Sequence, residues 1–157
     1  MKIYCDMDMV LCDFLSASEK VLGQPYFDKS MSKEEKSAKI TAKKDFWHTL
    51  PWYDGGKDLW KYITKHSNDD IYILSAYASW DPNCKAGKKA WIKKNLRPAP
   101  NKIFLVKRDQ KQNFANKNSI LIDDYSRNIH EWESAGGKAV HHINRSTTIA
   151  KLKKLGI

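Results

Sequence analysis

The sequence has few cysteines and no long apolar run, and these absences exclude several classes of protein. Cys5, Cys12 and Cys84 are an odd number without metal-site spacing, so neither a disulfide framework nor a cysteine-based zinc site is expected. No apolar run reaches the roughly 20 residues that span a bilayer. The N-terminus also enters a strand directly, without a basic region followed by an apolar one. We therefore expect a cytoplasmic protein with reduced thiols and no membrane contact.

Acidic side chains are the second shortage. The 157 residues include 28 Lys and Arg but only 18 Asp and Glu, a formal net charge of +10. Such a charge attracts polyanions, and composition does not choose between nucleic acid and small phosphorylated molecules. Several lysines share one helical stretch, where we interpret them as a solvated face: Lys85, Lys88, Lys89, Lys93 and Lys94.

Short apolar strands alternate with helical stretches along a chain long enough for one domain. The pattern predicts an α/β fold, with a Rossmann-like parallel sheet flanked by helices on both faces. Capping signals predict helix starts near Ser32, Asp81-Pro82, Ser126 and Ser146. The strand candidates are Lys2–Cys5, Ile71–Leu74, Lys102–Leu105, Ser119–Ile122 and Lys138–His141.

Residues 6–70 separate the first two strands, far more than the dozen or so that a simple crossover needs. This stretch holds a capping-box pattern, Ser32 with Glu35, and then an aromatic segment at 46–52. We interpret approximately residues 15–68 as a small helical cap inserted into a single domain of residues 1–157. The cap aromatics are either core residues or the lining of a slot over a site.

Two carboxylates, Asp6 and Asp8, leave the first strand where it must turn. Such a pair can hold a divalent cation or perform nucleophilic and acid-base chemistry, although an aspartate-rich turn that caps a helix is the plainer reading. Later strands end in Ser75-Ala76 and in Asp123-Asp124, and a lysine cluster, Lys107 to Lys111, lies between them. The order of these features favours the catalytic reading.

In this order, the motifs resemble those of the haloacid dehalogenase (HAD) superfamily of phosphohydrolases, from Lys2 to about Ile143. Phosphoryl transfer needs an in-line nucleophile, positive charge around the phosphate and a proton for the leaving oxygen. On this reading Asp6 forms an aspartyl-phosphate and Asp8 is the general acid and base. Ser75 and the amide of Ala76 bind phosphate oxygens, and a lysine neutralises charge.

If the first strand is central, Asp6, Asp8, Asp123 and Asp124 converge beyond the carboxyl ends of the strands. Four carboxylates repel one another unless a cation is bound, and oxygen ligands favour magnesium. We therefore expect Mg²⁺ as cofactor, with these four residues as its ligands.

Within the superfamily, three stretches are similar to the 5'(3')-deoxyribonucleotidase family. They are residues 6–14, the segment 46–56, and Lys88–Trp91 followed by 121–124. The resemblance implies a nucleotide substrate whose base is contacted by cap aromatics, which are here Phe46, Trp47 and Trp52. Aromatic rings can stack on any base.

The sequence also departs from that family. Met9 stands where relatives carry glycine or threonine, and Tyr125 stands where the mammalian-type enzymes carry arginine. Two lysines compete for the motif role: Lys111 fits a loop and helix start, whereas Lys107 directly follows the third strand. We assign the catalytic role to Lys111 and phosphate recruitment to Lys107.

The sequence thus predicts a magnesium-dependent phosphomonoesterase that acts on (deoxy)nucleoside monophosphates. A receiver domain is disfavoured because its paired acids come first and its phosphorylated aspartate lies on a later strand, where this chain has Ser75. Two alternatives stay open: a phosphatase acting on nucleic-acid ends, and a non-catalytic nucleic-acid-binding module on the same scaffold.

Overall fold

Five parallel strands form the centre of the computed structural model, which describes residues 1–68 and 70–157. The sheet order β3-β2-β1-β4-β5 places β1 in the middle, with β2 and β4 on its two sides. This order confirms the predicted α/β class and the central first strand. The strands are β1 (Lys2–Cys5), β2 (Asp70–Ala76), β3 (Lys102–Val106), β4 (Ser119–Asp123) and β5 (Lys138–His141).

The connections between strands are helical. A 3₁₀ helix, Arg108–Phe114, joins β3 to β4. The α-helices are α1 (Phe14–Leu22), α2 (Lys33–Ala42), α3 (Gly56–His66), α4 (Cys84–Asn95), α5 (Ser126–Ser134) and α6 (Arg145–Lys154).

Helix starts follow the capping chemistry with three shifts from the sequence prediction, the smallest at α5, where Tyr125 and not Ser126 is the cap residue. Ser32 caps α2 as predicted, because its side chain accepts the amide of Glu35. At α6 the cap is Asn144 rather than Ser146, since the Asn144 side chain accepts the Thr147 amide. At α4 the helix starts only at Cys84, because Asp81 accepts the Asn83 amide in a turn before it.

Alternation along the strands builds two cores, one on each face of the sheet. Ile3 and Ile73 belong to a large core with the buried sides of α3, α4 and α6. Tyr4, Tyr72 and Trp132 belong to a smaller aromatic core on the other face, against α5. The sheet is therefore covered on both sides, as a parallel sheet requires.

The segment after β1 shares the larger core. Leu22 of α1, Ile40 of α2 and Phe46 are buried in the same cluster as the strand residue Ile3. Helix α3 returns the chain to β2 and packs on α6. The cap at approximately 15–68 stays a prediction as a unit, but its described helices rest directly on the sheet's core.

The three cysteines are free and buried, and burial raises the pKa of each thiol. Within the described part of the chain, no helix has both the length and the apolar character that a membrane span needs.

Candidate active site

Strands β1, β2 and β4 end at the same edge of the sheet. Cys5, the last residue of β1, pairs with Ile73 and Ile122, so the residues that follow these three positions are brought together. The amide of Asp6 donates to the Ile122 carbonyl over 2.9 Å, which continues the pairing into the first functional position. Parallel topology therefore brings the polar ends of three strands into one place.

The chain turns tightly after Asp6. The Met7 carbonyl accepts the amides of Leu11 and Cys12 at 2.8 and 2.9 Å, and the Met9 amide donates to the Cys12 carbonyl. Met9 has a φ of 62°, in the left-handed region that glycine adopts without strain. The backbone conformation thus gives a physical reason for a glycine preference at this position, which Met9 does not meet.

Lys111 joins two of the aspartates. Its Nζ lies 3.1 Å from Asp6 Oδ1 and 2.6 Å from Asp123 Oδ2, and all three side chains are buried. Burial alone lowers the pKa of Lys111, but Asp6 and Asp123 together raise it above its ordinary value. Lys107 is exposed at the start of the 3₁₀ helix, so Lys111 is the lysine that reaches the aspartates.

Further hydrogen bonds hold Asp123 in place. Its Oδ2 also accepts the Asn128 side-chain amide at 3.1 Å, and its Oδ1 accepts the Tyr125 backbone amide at 2.9 Å. Asn128 in turn accepts from Arg108 at 2.9 Å. Sequence reasoning missed Asn128, although it follows the Asp123-Asp124 pair on the buried side of α5.

Asp6, Asp123 and Asp124 each offer an oxygen within 4.8 Å of the other two. Burial and the charge of Asp6 raise the pKa of both Asp123 and Asp124, because crowded carboxylates resist ionisation together. A hard divalent cation would relieve this repulsion, so the donor set fits Mg²⁺. Asp8, also predicted as a ligand, is not part of this group among the described residues.

Asp8 pairs with Lys88 instead. Lys88 Nζ donates to Asp8 Oδ2 at 2.8 Å, to Ser75 Oγ at 2.9 Å and to the Ala76 carbonyl at 2.7 Å. The other carboxylate oxygen, Asp8 Oδ1, has no hydrogen-bond partner in the described structure, although it is buried.

The interpretation of Lys88 as part of a solvated lysine face is wrong, because this side chain is fully buried. It lies on the inner side of α4 with Cys84, Trp91 and Ile92. Those positions follow the spacing of an apolar helix stripe, and this spacing is the signal that could have identified Lys88. Burial lowers its pKa, but Asp8, followed by Cys84 and Asp6, outweighs that effect and raises the pKa of Lys88 overall.

The cap aromatics lie deeper than a base-stacking role suggests. Phe46 and Trp47 are 1% and 3% exposed, whereas Trp52 is partly exposed and packs edge-on against Trp91. The Trp47 indole donates to Asp81 Oδ2 at 2.7 Å, and the Lys88 ammonium lies 5.5 Å from its ring centre.

Gly87 allows this close packing of α4 on the aromatic segment. A Cβ at position 87 would meet the Trp47 Cβ at 2.5 Å, closer than carbon atoms can approach. The missing side chain at 87 therefore sets how near α4, and Lys88 with it, lies to the segment at 46–52.

No protein-family profile matches the chain, and no curated protein sequence matches it. Several solved structures do align with the chain. The HAD-hydrolase YfnB from Bacillus subtilis, bound to magnesium, aligns with TM-score 0.59 and 14% identity over 88% of this chain and 84% of that chain. The HAD-family enzyme BT-2542 from Bacteroides thetaiotaomicron, in complex with magnesium and inorganic phosphate, aligns with TM-score 0.53 and 15% identity over 89% and 92%.

The L-2-haloacid dehalogenase from Xanthobacter autotrophicus aligns with TM-score 0.57 and 8% identity, over 98% of this chain and 82% of that chain. At such low identity these similarities show the fold alone, and the fold is the HAD-like one.

Proposed function

We propose that this HAD-like protein is a magnesium-dependent phosphomonoesterase that dephosphorylates (deoxy)nucleoside monophosphates through an aspartyl-phosphate. One observation carries the proposal: each aspartate of the Asp6-x-Asp8 pair has its own buried lysine, beside a three-carboxylate group. Lys111 contacts Asp6, and Lys88 contacts Asp8. Two buried cations at the end of a parallel sheet suit a dianionic phosphate.

Asp6 and Asp8 have different roles in the reaction. An oxygen of Asp6 attacks phosphorus, and the bond from phosphorus to the ester oxygen breaks. Asp8 gives its proton to the departing alkoxide, and then takes a proton from the water that attacks the aspartyl-phosphate. Lys88 donates to Asp8 Oδ2 and so holds the Asp8 carboxyl group in one orientation.

The lysines and the metal set supply the positive charge. Lys111 holds Asp6 in position and faces the charge that develops on the phosphoryl oxygens. Asp6, Asp123 and Asp124 would hold Mg²⁺, which when bound neutralises phosphate charge. Of the structural neighbours, BT-2542 was solved with both magnesium and inorganic phosphate, which agrees with this assignment.

Nucleotide specificity rests on the aromatic surroundings. Of the cap aromatics Trp52 is partly exposed, whereas the buried Trp47 ring packs 5.5 Å from the Lys88 ammonium, so the aromatic segment adjoins the proposed site. Lys107, exposed at the head of the 3₁₀ helix, would recruit the phosphate from solvent. Ser75 and the Ala76 amide would complete the phosphate contacts, with the Ser75 hydroxyl now held by Lys88.

The test is phosphate release from ribo- and deoxynucleoside monophosphates, carrying a 5' or 3' phosphate, with Mg²⁺ or EDTA. We expect turnover only with Mg²⁺, and its loss in Asp6→Asn. The matched control is Asp109→Asn, an exposed carboxylate on the 3₁₀ helix that also supplies Lys111. Absence of turnover by folded wild-type protein would refute the mononucleotide assignment and favour the two alternatives, a phosphatase of nucleic-acid ends and a binding module.

A further inference from the structure

A second concave surface lies beside the aromatic segment, between the loop after α1, the start of α2 and the loop after β2. It encloses about 620 Å³. We call it the aromatic groove. Three rings and three lysines dominate its lining, and no acidic side chain lines it among the described residues: Tyr26, Phe27, Trp80, Lys29, Lys33 and Lys36.

Two rings of the aromatic groove stand in solvent. The exposed fraction is 75% for Phe27 and 38% for Trp80. Large apolar side chains are usually withdrawn from water, and exposed ones that share a groove mark a binding surface. Phe27 packs edge-on against Tyr26, with ring centres 5.3 Å apart.

The aromatic groove is connected to the proposed phosphate site. Trp80 lies on the loop that follows Ser75-Ala76. The Trp47 ring is near both, with its centre 6.1 Å from the Trp80 ring centre and 5.5 Å from the Lys88 ammonium. A molecule whose phosphate lies at Asp6 must therefore extend beyond that phosphate to reach the groove.

The lining identifies the occupant. Exposed rings offer stacking surfaces for bases, and the exposed Lys29 and Lys33 offer partners for backbone phosphates, a combination typical of single-strand nucleic-acid binding. Lys36 is buried and donates to the Tyr26 carbonyl. A lone phosphate would use no ring, and an apolar peptide would use no lysine. The formal net charge of +10 adds a long-range attraction for such a strand.

We infer that the aromatic groove binds the nucleotide next to the terminal one, so that a short single-stranded oligonucleotide with a phosphorylated end is a better substrate than a mononucleotide. The inference rests on the proposed function and names its substrate class. The terminal phosphate occupies the site at Asp6, and the neighbouring base stacks on Phe27 and Trp80.

The experiment compares kcat/KM for thymidylates of one to four residues, phosphorylated at the 5' or the 3' end, with that for p-nitrophenyl phosphate. We expect kcat/KM to rise roughly 5- to 150-fold from one residue to two, the effect of one stacked base. Phe27→Ala and Trp80→Ala should each reduce this length gain. Equal kcat/KM at all lengths, or an undiminished gain in both variants, would overturn the inference.

The contribution of the groove lysines to binding is tested separately. Lys29→Gln/Lys33→Gln should flatten the salt dependence of oligonucleotide affinity, by about 1.4 in the slope of log K against log salt. The matched control is Lys151→Gln/Lys153→Gln on α6, two exposed lysines outside the groove. An equal effect in both double variants would assign the attraction to overall charge and reject the groove.

A binding assay distinguishes failure of the proposed function from failure of the groove inference. If no phosphate ester is turned over, binding of fluorescein-labelled tetrathymidylate is measured by anisotropy on wild type and Trp80→Ala. Weaker binding by Trp80→Ala than by wild type would support the groove as a nucleic-acid-binding surface of a protein without phosphatase activity. Equal binding by both proteins would reject the groove as well.

Discussion

Replacement of Lys88 by glutamine tests the arrangement around Asp8 most directly. Lys88 is fully buried and makes three hydrogen bonds, to Asp8, Ser75 and the Ala76 carbonyl. Removal of one partner of a buried ion pair costs about 3–5 kcal/mol. The Asp8 side chain is 30% exposed and partly screened by solvent, so we expect the lower end, about 3 kcal/mol.

Both the thermal stability and the turnover of Lys88→Gln should fall. In a domain of this size about 3 kcal/mol corresponds to a fall in Tm of roughly 6–12 °C. The lost charge at the phosphate should lower kcat/KM about 100- to 1000-fold. The assays are thermal unfolding by circular dichroism and phosphate release with Mg²⁺. Lys89→Gln, on the exposed neighbour, is the control and should change neither.

A double variant separates the two effects. Lys88→Met/Asp8→Asn removes both charges, so it should recover part of the stability lost in Lys88→Gln but none of the turnover. The reasoning is refuted if Lys88→Gln keeps wild-type kcat/KM, or if Lys89→Gln loses as much.

Three further predictions follow from the site. Lys111→Met should lower kcat/KM at least about 100-fold while Lys107→Met changes it less than about threefold, and the reverse order would move the motif role to Lys107. Burial, with Asp6 and Asp123, raises the pKa of Asp124 from 3.8 to about 8, so between these pH values the metal-free folded protein binds more protons than the unfolded chain. Its free energy of unfolding should therefore fall as pH rises from 5 to 7.5 in EDTA, and Mg²⁺ should remove that fall; urea unfolding measures both, and a flat profile in EDTA contradicts the argument. Because Met9 has a positive φ, Met9→Val should be about 1–2 kcal/mol less stable than Met9→Gly in urea unfolding, and equal stability would show that the turn relaxes.

Sequence patterns predicted the sheet closely because its strands are short apolar runs between polar turns. The bounds of β1 and β5 agree with the prediction, and β2 runs on to Ala76, so Ser75 lies inside the strand. The order of the strands then brought Asp6 and Asp123 together, as expected from parallel topology.

The parts that sequence reasoning missed depend on tertiary contacts. Lys88 looked solvated among exposed lysines, because nothing local shows that Asp8, 80 residues earlier, would pair with it. The start of α4 was misplaced because Asp81 is engaged by the Trp47 indole and by a turn. Phe46 and Trp47 pack against the core of the sheet and have little exposed surface, and their contact with a base stays a prediction.

Gly87 has a consequence for how variation in this protein is read. It has no functional group, yet any larger residue there would collide with Trp47 and push α4, and the neighbouring Lys88, away from the aspartates. In a complete mutational scan scored by turnover, position 87 should therefore be as intolerant as a catalytic position. Intolerance at 87 would be evidence about the spacing between two segments, and would not mark a group that touches the substrate.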